Sequence, residues 1–464
     1  MKSAFPPLIV SSLLGLTACE SEPDGGLPPA MPSDVASNIV IITLDTTRAD
    51  HLGSYGYFRD TSPSLDALAG ESLLFERCVS PTASTLPAHT SLLTGATLTE
   101  HGVLTNMSFG AAPRWAQWGL RSFAQIALDG GYQTAAVVSA SPVKKGTGLE
   151  LGFVHFDQPE GLERPAVQTT DAALAWLEQR REGPYLLWVH LWDPHHPLVA
   201  PEPFTHFEGD VSQRDAELAR RGVPDQEWRL RTGDSLSSGG LVDAYDAEIR
   251  YMDAEIGRLL TALRADPSWD RTAVVVMGDH GEGVGQHEVL EHGSLWWEQV
   301  HVPLIMRVPG LQPQRVDRLL GLADVLPTLV ARLGQPDLAP GAAASGRDVL
   351  APGAPSLPLL VSAPGHVLDS APHVCSLVTE KSQLMLPAPG NAAAAPLLFD
   401  LVQDPHQQHD LAAAQPETVA KLSALVSEPC AALLRSAEQV GSASEQTEAM
   451  KRLSEELRAL GYVD

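Results

Sequence analysis

Apolar segments that each end in polar residues place the strongest constraint on the fold of this 464-residue chain. Asn38–Leu44, Tyr185–Leu191 and residues 272–277 are largely apolar runs, the pattern of strands covered on both faces. Alternation of such strands with amphipathic helices predicts an α/β fold, with a mostly parallel central sheet covered by helices. Further strands are predicted at 134–138 and 302–307, and helices at 167–181 and 242–263.

Residues able to bind a cation follow each of the three main strands. Asp45 follows the first strand, His195 the second, and Asp279 with His280 the third. The carboxyl ends of parallel strands meet at one edge of an open sheet, where ligands bind. Carboxylate oxygens combined with an imidazole suit a divalent cation, so we expect a metal at this edge.

A helix start at residues 84–95 carries hydroxyl side chains. Pro87 fits the first turn, where its missing N–H costs nothing, and Gly95 is suited to end the helix. Ser84 or Thr85 would meet unpaired N–H groups and the positive end of the helix dipole. Such a hydroxyl either stabilises a transferred anionic group or simply caps the helix.

This helix start resembles the signature of the sulfatase family, within the alkaline phosphatase superfamily. Thr85 falls on the position of the nucleophile, Pro87 and Ala88 match, and residues 93–95 are in register. Two residues depart from the signature. Thr85 replaces the Cys or Ser that sulfatases convert to formylglycine, so no formylglycine is expected, and His89 replaces the usual Arg.

Further segments resemble the same family in the same order, and together they cover roughly residues 38 to 415. The resemblance implies an alkaline-phosphatase-like sandwich, with a mostly parallel sheet between helices and a small C-terminal subdomain. The matching segments are 45–50, 193–197, 279–282, 291–293, 398–401 and 410–411.

The resemblance assigns the metal ligands to Asp45, Asp279 and His280. Thr46 stands where many sulfatases have a second Asp, so that ligand is either lost or replaced by a hydroxyl. The implied cofactor is a divalent ion, either Ca²⁺ or Mn²⁺/Zn²⁺.

The resemblance also assigns reacting residues. Thr85 matches the nucleophile and His195 the residue that protonates the leaving group. His292 matches a Lys that grips the substrate, and it could instead bind a second metal. His89 and Asn106 match positions that contact the substrate, although Asn106 could equally be a turn residue. His89, like His190, His196 and His287, is more suited to supporting the structure or orienting a ligand than to reacting.

These assignments imply a metal-dependent hydrolase of sulfate or phosphate esters that forms a covalent intermediate on Thr85. The substrate would be a small-molecule or glycan ester. Threonine sulfate cannot expel sulfate as a formylglycine diol does, so a phosphodiesterase or phosphonate hydrolase remains an alternative. The same residues would also allow transfer of the group to an alcohol in place of water. A non-catalytic surface lipoprotein that keeps the fold is the least favoured interpretation.

The N-terminus resembles a bacterial lipoprotein signal. Residues 1–19 form a short apolar segment that ends in a lipobox, with Cys19 as the acylated residue, and a plain signal peptide is the alternative. Residues 20–37 have the composition of a flexible linker. We therefore predict export to the bacterial cell envelope, on the periplasmic side of the outer membrane or at the cell surface, with membrane contact through the lipid anchor only.

Composition sets further limits. The net charge of −26 argues against a nucleic-acid partner. Cys78, Cys375 and Cys430 permit one disulfide at most; the last two could pair, and Cys78 is expected to be buried. We place a catalytic domain at 38–310, with a polar, strandless insertion at 205–240, and a C-terminal subdomain with a helical tail at 311–464.

Overall fold

The computed structural model describes residues 38–106, 114–205, 207, 211–230, 233–363, 373–388, 391 and 394–442. The predictions for the lipobox at Cys19, the linker at 20–37 and a helical segment at 445–460 lie outside these residues. Among the described residues, no helix combines the length and apolar character that a membrane span requires.

The predicted strands and helices are present, with ends shifted by a few residues at most. The strands are β1 (Asn38–Leu44), β2 (Leu73–Val79), β3 (Gln133–Val138), β4 (His155–Asp157), β5 (Tyr185–Leu191), β6 (Glu227–Arg229), β7 (Ser235–Ser237), β8 (Thr272–Gly278), β9 (Gly283–Val284), β10 (Leu290–Glu291), β11 (His301–Arg307), β12 (Gln314–Gly321), β13 (Leu359–Ser362), β14 (His373–Val378), β15 (Ser382–Pro387) and β16 (Leu397–Asp400). The α-helices are α1 (Pro63–Ala69), α2 (Thr85–Thr94), α3 (Leu98–His101), α4 (Arg114–Gln117), α5 (Phe123–Asp129), α6 (Ala166–Gln179), α7 (Val211–Arg220), α8 (Ser238–Ala265), α9 (Trp297–Val300), α10 (Leu322–Leu333) and α11 (Pro416–Ser442). Short 3₁₀ helices lie at Ala49–His51, Gly53–Tyr55, Ser141–Val143, Trp269–Arg271, Gln286–Glu288 and Pro336–Leu338.

The main sheet has the strand order β12-β2-β11-β8-β1-β5-β3-β4. Its strands run parallel except β11, which is antiparallel to both of its neighbours. β1 is central, and Leu44 at its end lies level with Leu191 of β5 and Gly278 of β8. The residues that follow these three strands therefore emerge side by side at one edge of the sheet.

Helices cover both faces of this sheet, which confirms the predicted α/β sandwich. Apolar side chains of α2, α5 and α10 pack on one face, and those of α1, α6 and α8 pack on the other. The long helix α8 extends from the insertion to the far end of the sheet, and its side chains contact the loop that follows β1.

A smaller antiparallel sheet of β13, β14, β15 and β16 forms the C-terminal subdomain, against which α11 packs. A disulfide joins Cys375 of β14 to Cys430 of α11, and Cys78 is a buried free thiol. The expected division at residue 310 is too early, because β12 belongs to the main sheet and α10 packs against α2. Apolar side chains of both β12 and α10 join the main core, although Pro- and Ala-rich loops follow them in the sequence.

The insertion also differs from the expectation. Residues 205–240 contain α7 and the short antiparallel pair of β6 and β7, so the segment is not strandless. The two strands pair over only three residues, and Trp228 of β6 is the one buried side chain among them. So short a pair shows almost no alternation of apolar and polar residues, and the sequence therefore did not reveal it.

Candidate active site

Two adjacent strands bring the predicted metal ligands together. Asp45 follows β1, and Asp279 and His280 follow β8; one ligand atom from each lies within 4.8 Å of the others. All three side chains are buried. The Nε2 atom of His280 lies 3.9 Å from Asp45 Oδ1 and 3.6 Å from Asp279 Oδ2.

The charges and hydrogen bonds of this group fit a divalent cation. Burial, followed by repulsion from Asp279, raises the pKa of Asp45 well above its ordinary value. The Oδ1 atom of Asp279 accepts bonds from the N–H groups of Thr46 and His280, whereas its buried Oδ2 has no hydrogen-bond donor among the described residues. The Oγ1 atom of Thr46 is likewise buried without such a partner. Buried oxygens of this kind are usually satisfied, and a bound cation would satisfy them.

The hydroxyl of Thr85 faces this metal-ligand group from the start of α2. Its Oγ1 atom lies 3.4 Å from Nε2 of His280. The preceding Ser84 makes no capping bond with its side chain; instead Asn106 Oδ1 accepts the N–H of Leu86 at 2.8 Å. The helix is thus capped from outside, and the Thr85 hydroxyl is directed toward the metal-ligand group rather than used as a cap.

Two further histidines complete the edge of the site. The ring of His195 stacks on Trp192 at 3.8 Å between centroids, and its Nδ1 donates to the carbonyl oxygen of His196 at 2.6 Å. His292 lies between the other rings, 5.1 Å from the centroid of His195 and 4.5 Å from that of His280. Burial, and then the neighbouring His292, lower the pKa of His195 well below its ordinary value.

The family model named Sulfatase matches residues 37–335, which is more than half of the chain. This chain belongs to the sulfatase family. It is a hydrolase that acts on sulfuric or phosphoric esters. The match ends just after α10, the helix that directly follows the last strand of the main sheet.

Several known proteins resemble this sulfatase-family chain. The Escherichia coli sulfatase YidJ is 23% identical over 352 residues, covering 66% of this chain and 69% of that protein. The multifunctional alkaline phosphatase superfamily protein PehA of Trinickia caryophylli is 25% identical and covers 81% of this chain and 91% of its own. The phosphonate monoester hydrolase of Agrobacterium radiobacter superposes with a TM-score of 0.63 at 22% identity, covering 89% of this chain and 98% of its own.

In this family member, His89 is placed differently from the expected substrate contact. Its Nδ1 atom lies 2.8 Å from the carbonyl oxygen of Thr85, and its Nε2 lies 3.0 Å from the hydroxyl of Thr43. The ring is fully buried, and burial lowers its pKa to about 4. Because both nitrogens are already bonded within the protein, the structure favours a structural role for His89. Asn106 likewise commits its side-chain oxygen to α2, so contact with substrate stays a prediction for its amide nitrogen.

Glu282 and His190 also belong to the site, and of these two the sequence assigned no role to Glu282. Burial raises the pKa of Glu282 to about 7, and its Oε1 lies 3.5 Å from Nδ1 of His292. The Nε2 atom of His190 lies 3.3 Å from Asp45 Oδ2. The available signals were the acid three residues after Asp279 and the lone imidazole inside the apolar run of β5.

Proposed function

We propose that this sulfatase-family member cleaves a sulfate or phosphate ester through a covalent intermediate on Thr85. The observation that carries the proposal is the 3.4 Å distance between the Thr85 hydroxyl and His280. Thr85 is the first residue of α2, and its contact His280 clusters with the buried carboxylates of Asp45 and Asp279.

Asp45, Asp279 and His280 would hold the divalent cation. When bound, the cation supplies Lewis-acid chemistry that lowers the pKa of a nearby hydroxyl and balances anionic charge. The chain's own contribution is a buried, fixed oxygen on Thr85 at the positive end of a helix.

The Thr85 hydroxyl releases its proton to solvent, and its oxygen forms a bond to sulfur or phosphorus while the bond to the alcohol oxygen breaks and that electron pair leaves with the alcohol oxygen. His195 donates Nδ1–H to a carbonyl, so Nε2 is the atom that would deliver a proton to the departing alcohol. Its lowered pKa means that this proton must be taken up with the anionic substrate, whose charge favours the imidazolium. Water then cleaves the ester of Thr85 and restores the hydroxyl.

Thr85 itself favours phosphoryl over sulfuryl substrates. A threonine has no aldehyde form, so its sulfate ester leaves only when water attacks sulfur, whereas its phosphate ester hydrolyses more readily beside a cation. The likeness to a phosphonate monoester hydrolase supports the same choice. A relative solved with D-glucosamine-2-N,6-O-disulfate keeps a glycan sulfate among the substrates to test.

A panel of aryl sulfate, phosphate monoester, phosphodiester and phosphonate monoester tests the proposal. We expect turnover of at least one ester, a loss of several orders of magnitude in Thr85→Ala, and appreciable activity in Thr85→Ser, which keeps the hydroxyl. Quenching during turnover should leave the added mass on the peptide that contains Thr85. An active Thr85→Ala protein would show that water, not Thr85, is the nucleophile.

We also propose that the protein is exported and anchored through Cys19. The disulfide between Cys375 and Cys430 supports export, because such bonds persist in oxidising compartments. A clickable palmitate analogue should label the wild-type protein in cells and leave Cys19→Ala unlabelled. Equal labelling of the two proteins would contradict the anchor.

A further inference from the structure

A chain of buried hydrogen bonds runs from β5 through β1 to the nucleophile. Trp188 Nε1 lies 3.0 Å from Thr43 Oγ1, which lies 3.0 Å from Nε2 of His89. The Nδ1 atom of His89 then lies 2.8 Å from the carbonyl oxygen of Thr85. All four residues are fully buried.

The directions of the bonds in this chain follow from the chemistry of the groups when the imidazole is neutral. An indole N–H only donates and a carbonyl oxygen only accepts, so Trp188 donates to Thr43 and Nδ1 of His89 donates to Thr85. In a neutral ring, Nε2 of His89 is then an acceptor, and it accepts from the Thr43 hydroxyl. One neutral tautomer therefore satisfies all three bonds.

These bonds occupy both ring nitrogens of His89, although Nδ1 also lies 3.6 Å from Oδ2 of Asp279. Ligand atoms of His89, His190 and Asp279 also lie within 4.8 Å of one another, which would allow a second cation. Coordination by His89 would require the loss of its bond to either Thr43 or Thr85. Since both bonds are short and buried, His89 is better suited to hold its neighbours than to bind a cation.

The first turn of α2 is consequently held from two sides. Asn106 accepts the N–H of Leu86, and His89 donates to the carbonyl of Thr85. The N–H and the carbonyl of the peptide group that follows the nucleophile are thus both fixed by side chains, outside the hydrogen-bond ladder of the helix.

We propose that His89 is a positioning residue that fixes Thr85 for attack by means of Thr43 and Trp188, and that it contacts neither metal nor substrate. The inference rests on the proposed function, in which Thr85 is the nucleophile. Displacement of an attacking atom by about 1 Å costs up to about a hundredfold in rate. The positioning effect should therefore appear in kcat and not in KM.

Thr43→Val tests the proposal, because it keeps the shape of residue 43 and removes the hydroxyl that links Trp188 to His89. We expect kcat to fall about tenfold to a hundredfold, with KM and metal content unchanged. Thr43→Ser, which restores the hydroxyl, should recover most of the loss. Thr134→Val is the matched control: it removes another buried hydroxyl of the main sheet, bonded to Gly152, and should leave kcat unchanged.

A double-mutant cycle and an NMR measurement complete the test. His89→Asn in the Thr43→Val background should add little further loss, since both changes break one chain. The ¹⁵N shifts of His89 should show a protonated Nδ1 and an unprotonated Nε2, and should stay the same when Zn²⁺ is added.

Three outcomes would overturn the proposal. A large shift of the His89 nitrogens with Zn²⁺ would make it a ligand. Equal kcat values for Thr43→Val and Thr43→Ser in an active enzyme would remove the positioning role alone. If the wild-type protein cleaves none of the four ester classes, the proposed function is overturned. The positioning role then fails with it, even if NMR shows the expected tautomer of His89.

Discussion

Two groups of carboxylates flank the loop after β1, and they differ in the cations beside them. The half-buried Asp50 forms ion pairs with Arg48 at 2.7 Å and Arg221 at 2.6 Å, and the fully buried Asp246 pairs with Arg59 at 2.6 Å. Burial alone would raise the pKa of Asp50, but Arg221 and Arg48 outweigh it and hold that pKa well below its ordinary value. This arginine-paired group is electrostatically complete without any ligand.

The metal-ligand group is as deeply buried as Asp246 and has no such arginines. Among the described residues, the ion-pair partners of Asp45 and Asp279 are histidines, and the pKa of Asp45 is raised where that of Asp50 is lowered. The contrast shows that burial does not by itself mark a functional carboxylate. The neighbouring charges decide whether the acid is already neutralised or needs a cation from outside.

Asp279→Asn should change the protein's activity most. We expect turnover to fall at least about a thousandfold, and the metal content measured by elemental analysis to fall with it. In chelated protein the free energy of unfolding should stay the same or rise, because the repulsion between residue 279 and Asp45 is gone. Full metal occupancy in this variant would remove the distinction between the two groups.

Asp50→Asn should have the opposite profile. Removing this acid leaves the buried Arg48 without its ion pair, so the free energy of unfolding should fall by about 4 kcal/mol in urea titrations. Metal content should be retained. Asp60→Asn is the matched control, since its 3.5 Å pair with Arg250 is largely exposed and should contribute under about 1 kcal/mol.

The pH dependence of stability also distinguishes the active site, through Glu282 beside His292, from the arginine-paired group. The folded pKa of Glu282 is raised from 4.5 to about 7, so the folded state binds more protons than the unfolded state in that window. In chelated protein, Glu282 should therefore account for a loss of up to about 3 kcal/mol of stability as pH rises from 4.5 to 7. Glu282→Gln should remove this part of the pH dependence. If the variant and the wild type lose stability equally over this pH range, the raised pKa of Glu282 is contradicted.

A weaker pH effect on stability comes from Glu298, whose ion-pair partner is a histidine that can lose its proton. Glu298 lies 2.8 Å from Nδ1 of His287, and although burial lowers the pKa of that histidine, Glu298 outweighs it and raises the pKa above 6.5. The pair stabilises the fold fully below the unfolded pKa and loses this contribution as pH rises through the folded value. His287→Gln should thus cost about 1 kcal/mol more at pH 6 than at pH 9, and equal costs would contradict it.

The sequence predicted the central fold well because β1, β5 and β8 are buried on both faces. Such strands appear as uninterrupted apolar runs, and the residues after them were correctly expected to share one edge. The pairing of Cys375 with Cys430 stayed open, since their approach depends on α11 packing against β14. The boundary after α10 was missed for the same reason: the partner of β12 is β2, which lies far back in the sequence.

The site was predictable in its residue types and less so in its bonds. Asp45, Asp279, His280 and Thr85 were expected together, and they are together. The hydrogen bonds of His89 could not be inferred, because the contact with Thr43 depends on how α2 packs across β1. The order of residues shows which strand end carries a side chain. It does not show which nitrogen of an imidazole is already hydrogen-bonded within the protein.

The central place of β1 also has a consequence for how the chain is made. Asn38 pairs with Tyr185 on one side and with Thr272 on the other, so both neighbours are synthesised long after it. A nascent chain that grows from its N-terminus therefore holds a seven-residue apolar strand without its full set of partners until β8 is complete. Such distant pairing slows folding and leaves a strand edge open to wrong partners, which makes β1 a segment for chaperones to shield during synthesis.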